Sequence, residues 1–336
     1  MAQIRVTILR ILIVAALASC GKNASHPPDR PQVLHVQRIW DSAPHNAFTD
    51  LARFRGKWYC ACREGRDHTS FDGTIRVLSS RDGRSWRPAA TLALPEVDLR
   101  DAKLAPTPDN RLMLIAGARF QTNPPHVRSM VWFSRDGGHW VGPWQVADSN
   151  YWLWRVTWHK DRCYGIGYAC GPEHNIRLYR SQDDTTFVPL APSLYNLDYA
   201  NEASLVFARD DSLFCLLRRD PEQALLGISG PPYQHWRWLP LGARIGGPHM
   251  LSLPDGRLVA AVRLYDNGLR TALCWVDKRR GTLTELLTLP SGGDSGYPGL
   301  VWYKETLWVS YYSSHEGKAA VYVAQVKLPR AELAEP

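Results

Sequence analysis

The 336-residue chain has no block of Lys and Arg, no glycine-rich phosphate loop and no Cys or His spacing that would cage zinc. It also offers no Ser, His and Asp in an order that suits a hydrolytic triad. These absences set aside nucleotide chemistry and structural metal sites, and no cofactor is expected. They give little support to nucleic-acid binding, because that needs concentrated positive charge. No apolar run is long enough to span a bilayer as a helix. The net charge of +8 is spread along the chain, a mild basic bias compatible with an anionic ligand.

What is present is a repeat. An apolar run, a polar turn and a second apolar run recur six times, with starts about 45 to 55 residues apart, a spacing typical of propeller blades. The copies open at Leu51, Leu104, Val156, Ala203, Met250 and Leu300. Each unit reads as about four short strands separated by turns. One such sheet cannot bury both faces alone, so the sequence implies an all-β fold, a six-bladed β-propeller of four-stranded antiparallel blades over residues 34–330. Fourteen Trp and fourteen Tyr suit stacked blades and sugar-facing clefts. The segments leading into each first strand are polar and read as loops at the ligand end. They are His45 to Asp50, Asp98 to Asp101, Trp152 to Arg155, Asn201 and Glu202, Gly246 to His249, and Asp294 to Tyr297.

A second repeat runs in phase: Ser80-Arg81-Asp82-Gly83-Arg84-Ser85-Trp86, then Ser134 to Trp140, and a worn copy from Ser181 to Phe187. Ser and Asp can bond local backbone groups, Gly permits an unusual backbone angle, and the aromatic packs on the blade. These turns resemble the Asp-boxes (BNR repeats) of sialidases and related glycosidases. The resemblance implies an exo-α-sialidase-like hydrolase acting on sialic acid or a related acidic sugar with retention. Carried over residue by residue, it implies Tyr297 as nucleophile, Glu202 as its base and Asp72 as proton donor, with Asp67 in reserve. It further implies Arg218, or its neighbour Arg219, and Arg270 as carboxylate binders. The chemistry is coherent, since a neutral Tyr avoids the repulsion an anionic substrate would exert on a carboxylate nucleophile. Arginine forks suit a carboxylate better than a Lys point charge.

One departure stands out. The family's first arginine has no counterpart, because Ala47-Phe48-Thr49 occupies its place. Arg63, Arg100 or Arg155 could restore that charge from another position. Asp101, within Asp98-Leu99-Arg100-Asp101, reads as a substrate contact of a divergent subgroup. His249 reads as a sugar hydrogen-bonder, as do His45, His68 and His315. Two other readings stay open: a non-catalytic glycan-binding propeller, and a different glycosidase or a lyase on the same scaffold.

The first 20 residues read as a signal peptide. Arg5 and Arg10 precede the apolar stretch from Ile11 to Ala16, and Leu17-Ala18-Ser19-Cys20 resembles a bacterial lipobox. Cys20 would carry the lipid, and 21–33 would be a flexible tether to a membrane of the bacterial cell envelope. Of the other cysteines, Cys60 and Cys62 share one strand face, and Cys163 and Cys170 lie too far apart to bridge. The expectation is buried hydrophobes with one unassigned cross-blade disulfide.

Overall fold

The computed structural model describes residues 30–330 apart from 124, 125 and 182. Residues 1–20 with Cys20, and 21–29 of the tether, lie outside the described residues. The described chain forms six four-stranded antiparallel sheets arranged as a six-bladed propeller. The inner strands of blades 1 to 6 are His45–Phe54, Val97–Pro106, Tyr151–His159, Tyr199–Phe207, Ile245–Ser252 and Ser295–Tyr303. Blades 1 to 5 each take four consecutive strands. Blade 6 borrows Gln32–Trp40 as its outermost strand, paired antiparallel to Ala320–Lys327, so the ring begins at Gln32. The six described cysteines are free, five of them buried, and no cross-blade disulfide joins them.

Inner strands are buried almost throughout, whereas an outer strand such as Arg87–Leu92 is largely exposed. That difference follows from position: an inner strand has neighbours on both faces and the channel at its edge. The polar segments read as loops are in fact the first halves of the inner strands. Their strand character is hidden because every inner strand slips register at one place. The slips fall between Ala47 and Asp50, Arg100 and Lys103, Leu153 and Arg155, Ala200 and Ala203, Gly246 and His249, and Gly296 and Gly299. A β-bulge inserts an unpaired residue and re-aims its side chain, which destroys the alternation a strand normally shows in sequence. Phe48, Asp101 and Tyr297 sit at these bulges with φ of 56°, 54° and 49°. Left-handed backbone at a non-glycine residue costs on the order of 1–3 kcal/mol and persists only where the surroundings impose it.

Just past the bulges, Asp50, Lys103, Arg155, Ala203, His249 and Gly299 occupy equivalent register positions. They plug the axis. Arg155 donates twice to Asp50, at 3.0 and 3.1 Å, and Leu104 N–H donates to the same carboxylate at 2.7 Å. His249 Nδ1 accepts the Leu300 N–H at 2.9 Å. Burial first, then the charges of Arg155 and Lys103, holds the His249 pKa well below the usual histidine range, so the ring is neutral. Gly299 has no room for a side chain: a Cβ there would lie 2.2 Å from Leu51 N and 2.6 Å from Asp50 Oδ1.

The Ser-x-Asp-Gly turns staple blades together at the rim. In the second of them, the N–H groups of Gly138 and His139 each donate to Asp136 at 2.8 Å, and Trp140 Nε1 donates to Gly137 O at 3.3 Å. Tyr59 of blade 1 donates its hydroxyl to Asp136 O at 2.6 Å. Gly137, at φ 76°, lies so close to that ring that a Cβ would stand 2.0 Å from it.

Candidate functional site

The bulges bring Tyr297 and Glu202 together. The Tyr297 hydroxyl donates to Glu202 Oε1 at 2.7 Å. Arg218 Nη1 lies 2.8 Å from the same oxygen and donates to Tyr297 Oη at 3.1 Å. Glu202 Oε2 accepts the Gly247 N–H at 2.6 Å, which fixes the carboxylate plane. Arg218 Nε stands 2.8 Å from Asp220, an acid that Arg244 also holds. Burial pushes the Tyr297 phenol well above its ordinary pKa, and the Glu202 charge adds to this. Arg218 and Arg263 pull it back. The resting phenol is therefore neutral, with its proton already aimed at a carboxylate. Burial works against the Arg218 charge, but Glu202 and the other anionic neighbours outweigh it and keep the guanidinium ionised.

Arg263 supplies the second guanidinium. Its Cζ lies 5.1 Å from the Tyr297 ring centroid. Its Nη2 donates to Tyr312 Oη at 2.7 Å and to Asp294 Oδ1 at 3.1 Å, and its Nε donates to the Ser295 carbonyl. Asp294 is a hub. Its Oδ2 takes His45 Nε2 at 2.9 Å and His68 Nδ1 at 2.7 Å, and its Oδ1 also takes the Tyr312 hydroxyl at 2.6 Å. Burial opposes the Asp294 charge, yet the bonds from His45, His68 and Tyr312 hold its pKa far below the carboxylate range.

A third cationic group lies across blades 1 and 2. Asp98, fully buried, is shared by Arg63 Nε at 2.8 Å, Arg119 Nη1 at 3.2 Å and Arg100 Nε at 3.8 Å. Asp72, 4.0 Å from Arg63, is a second carboxylate, but it is shared with Arg66, so guanidinia outnumber carboxylates on this side of the mouth. Burial, and next the Arg100 charge, lowers the Arg119 pKa from its usual value.

The residues singled out in the sequence thus fall into three groups. Tyr297, Glu202 and Arg218 form one cluster, and Arg219 turns away to Asp198 and Tyr195. Asp101 lies at the blade 2 bulge, buried, with Oδ1 unpartnered. Burial raises its pKa to about 6, and Lys103 and Arg100 act against the rise. Arg100 packs 4.8 Å over the Phe48 ring and donates to the His68 carbonyl. The second group supports the site. Arg63 is fully buried and donates to the carbonyls of Asp67 and Ser70, holding the 66–73 loop, while Arg155 and His249 belong to the plug. The third group is bonded elsewhere. Arg270 is paired with Glu285 on the outer strand of blade 5, whereas Asp72, bonded to Arg66, stays at the mouth with its Oδ1 4.0 Å from Arg63. Arg263 occupies the place anticipated for Arg270. Its signal was the repeat itself, because Arg63, Arg219 and Arg263 end the second apolar run of their blades at the same register. Tyr312 holds that same register in blade 6, Arg119 likewise closes a second run, and Asp98 and Asp294 lie in the polar segments read at the ligand end.

A cavity of about 750 Å³ opens at the other end of the inner strands, lined by their apolar second halves, by Arg155 and by His249. It lies beyond the plug and contains none of the Tyr297 cluster.

The fold is shared with sialidases and an arabinanase. No protein-family description and no curated protein matches the chain. Among solved structures, a protein of unknown function from Dyadobacter fermentans superposes with a TM-score of 0.78 at 19% identity, covering 89% of this chain and 99% of that one. An α-L-arabinanase of Penicillium chrysogenum, complexed with arabinobiose, gives 0.65 at 14%, covering 87% and 98%. A Trypanosoma rangeli sialidase, in complex with 2,3-difluorosialic acid as a covalent intermediate, gives 0.64 at 12%, covering 84% of this chain and 54% of that one. The chain therefore spans about half the length of that sialidase.

Proposed function

We propose that the protein is a glycoside hydrolase of the sialidase type that removes a terminal acidic sugar through Tyr297. The observation that carries this reading is the Tyr297–Glu202–Arg218 contact set, in which one carboxylate oxygen accepts from both the phenol and the guanidinium. A buried phenol is a poor nucleophile until its proton has a destination. Glu202 provides one at 2.7 Å, and two guanidinia stabilise the phenolate character that develops. The substrate's carboxylate would be met by Arg218, Arg263 and the surplus charge of the Arg63, Arg100 and Arg119 group, in place of the absent first arginine. The covalent intermediate of the similarly folded trypanosome sialidase accords with this scheme.

The test uses the domain from residue 30 with a fluorogenic sialoside, wild type against Tyr297→Phe. Turnover should fall on the order of a thousandfold, about 4 kcal/mol of barrier, with the thermal midpoint little changed. Turnover that survives in the variant would remove Tyr297 from the mechanism. Saturable glycan binding without turnover in either form would make the protein a lectin-like propeller. We also place the protein at the bacterial cell envelope through Cys20. Incorporation of labelled palmitate should vanish in Cys20→Ser, and persistence of the label would refute the anchor.

A further inference from the structure

The loop 66–73 of blade 1 overhangs the mouth and carries three titratable side chains. Asp67 spends its Oδ1 on the N–H groups of Thr69 and Ser70, at 2.8 and 2.7 Å, and so fixes the loop itself. Asp72 is occupied with Arg66. His68 alone turns inward. Its Nδ1 is 2.7 Å from Asp294 Oδ2, and its ring stands edge-on to Phe48 at 5.0 Å. Phe48 in turn packs edge-on against Tyr297 at 5.1 Å. The ionised Asp294 can only accept, so the proton of that bond sits on Nδ1, and the other ring nitrogen, Nε2, is the one free of it. The side chain is 42% exposed, so Nε2 is reachable from the mouth.

Building on the glycosidase reading, we propose that His68, oriented by Asp294, is the catalytic residue that protonates the departing glycosidic oxygen. In the first step Tyr297 Oη bonds to the anomeric carbon and passes its proton to Glu202. The bond from that carbon to the leaving oxygen breaks, and the oxygen keeps the electron pair and takes the proton from His68 Nε2. In the second step a water gives a proton to His68 Nε2, and its oxygen bonds to the anomeric carbon. The Tyr297 C–O bond breaks, and the phenolate recovers its proton from Glu202. Tyr297, Glu202 and His68 all end as they began. Asp294 has the role of a positioning residue that fixes the tautomer, as an Asp does for a triad histidine.

The groups that face His68 are His45, with ring centroids 5.5 Å apart, Asp294, and behind it Arg263 and Tyr312. Arg100, from blade 2, donates to the His68 carbonyl. His45 Nε2, His68 Nδ1 and Asp294 Oδ2 all lie within 4.8 Å of one another and could together ligate a metal ion. Proton-mediated bonding is favoured because each Asp294 oxygen already accepts two donors and Arg263 sets a positive charge on the same carboxylate. A divalent cation would have to displace that order.

Leaving-group dependence tests the assignment. Wild type, His68→Gln and His68→Ala are compared on sialyllactose, whose alkoxide leaves poorly, and on 4-methylumbelliferyl sialoside, whose phenolate leaves without help. The expected result is a 10²- to 10⁴-fold loss of kcat/KM on sialyllactose and less than tenfold on the aryl sialoside, in both variants. Equal losses on both substrates, or no loss, would overturn the proposal while leaving Tyr297 chemistry standing. So would a bound divalent metal that chelator removes together with wild-type activity and that His68→Ala fails to hold. Absence of turnover by wild type on either substrate would overturn the glycosidase reading and this assignment with it.

Discussion

Two layers of side chains stacked on the propeller axis differ in origin and in electrostatics: the lower comes from the six inner strands, the upper largely from the strands paired with them. In the lower ring, Asp50 and Arg155 are 0% and 6% exposed and form a matched pair, with the neutral His249 beside them and with Lys103, whose pKa burial and then the Arg155 charge lower to about 8. In the upper region Arg63, Arg100 and Arg119 gather on Asp98, with Asp72 4.0 Å from Arg63, so guanidinia outnumber carboxylates there, while Arg218 and Arg263, paired with Glu202 and Asp294, face a phenol. Buried charge closed by its own partner is scaffold. Buried charge left over is a demand for something from outside.

The comparison can be broken most sharply from below. Asp50→Asn should leave Arg155 buried without a counter-charge and cost about 3–5 kcal/mol in urea unfolding. The paired replacement Asp50→Leu with Arg155→Met should recover much of that loss. A cost under 1 kcal/mol for Asp50→Asn would place the pair with ordinary surface bridges. From above, Arg263→Lys keeps the charge and loses the fork, so affinity for free sialic acid should fall roughly 30-fold, about 2 kcal/mol, by calorimetry. Unchanged affinity would assign Arg263 to the scaffold.

The smallest effect concerns Asp101, where the rings meet. Its folded pKa of about 6 lies above the ordinary value near 4. The folded state therefore holds the proton more tightly, and the ionised group costs stability above pH 6 that returns as pH falls from 6 towards 4. Asp101→Asn should raise stability at pH 7 by about 2 kcal/mol and flatten the wild-type slope between pH 4 and 6. Parallel wild-type and variant curves across that window would refute it.

The architecture was legible because the hairpins repeat in phase, so weak single-strand signals add up over six copies. Glu202, Arg218 and Tyr297 were singled out through the resemblance to sialidases, and they meet in the structure. The bulges were not: an inserted residue makes Phe48-Thr49 and Tyr297-Pro298 look like loop, although both lie within paired strands. Arg270 was chosen by spacing along the chain, yet Arg263 stands on the strand paired with the inner one, whereas Arg270 opens the next strand out. The His45–His68–Asp294 hub joins residues up to 249 positions apart, and no local pattern announces such a meeting. Its members were visible only as polar residues near a pore.

Ring closure has a temporal side. The blade that carries Tyr297 is completed by Gln32–Trp40 pairing with Ala320–Lys327, strands nearly 300 residues apart. That blade cannot assemble until almost the whole propeller has been synthesised, and contacts so distant along the chain form slowly. The Tyr297 strand thus gains its full set of neighbours last. A truncated or half-folded chain would present five blades, so the contact of Tyr297 with Glu202 and Arg218 waits until the ring is shut.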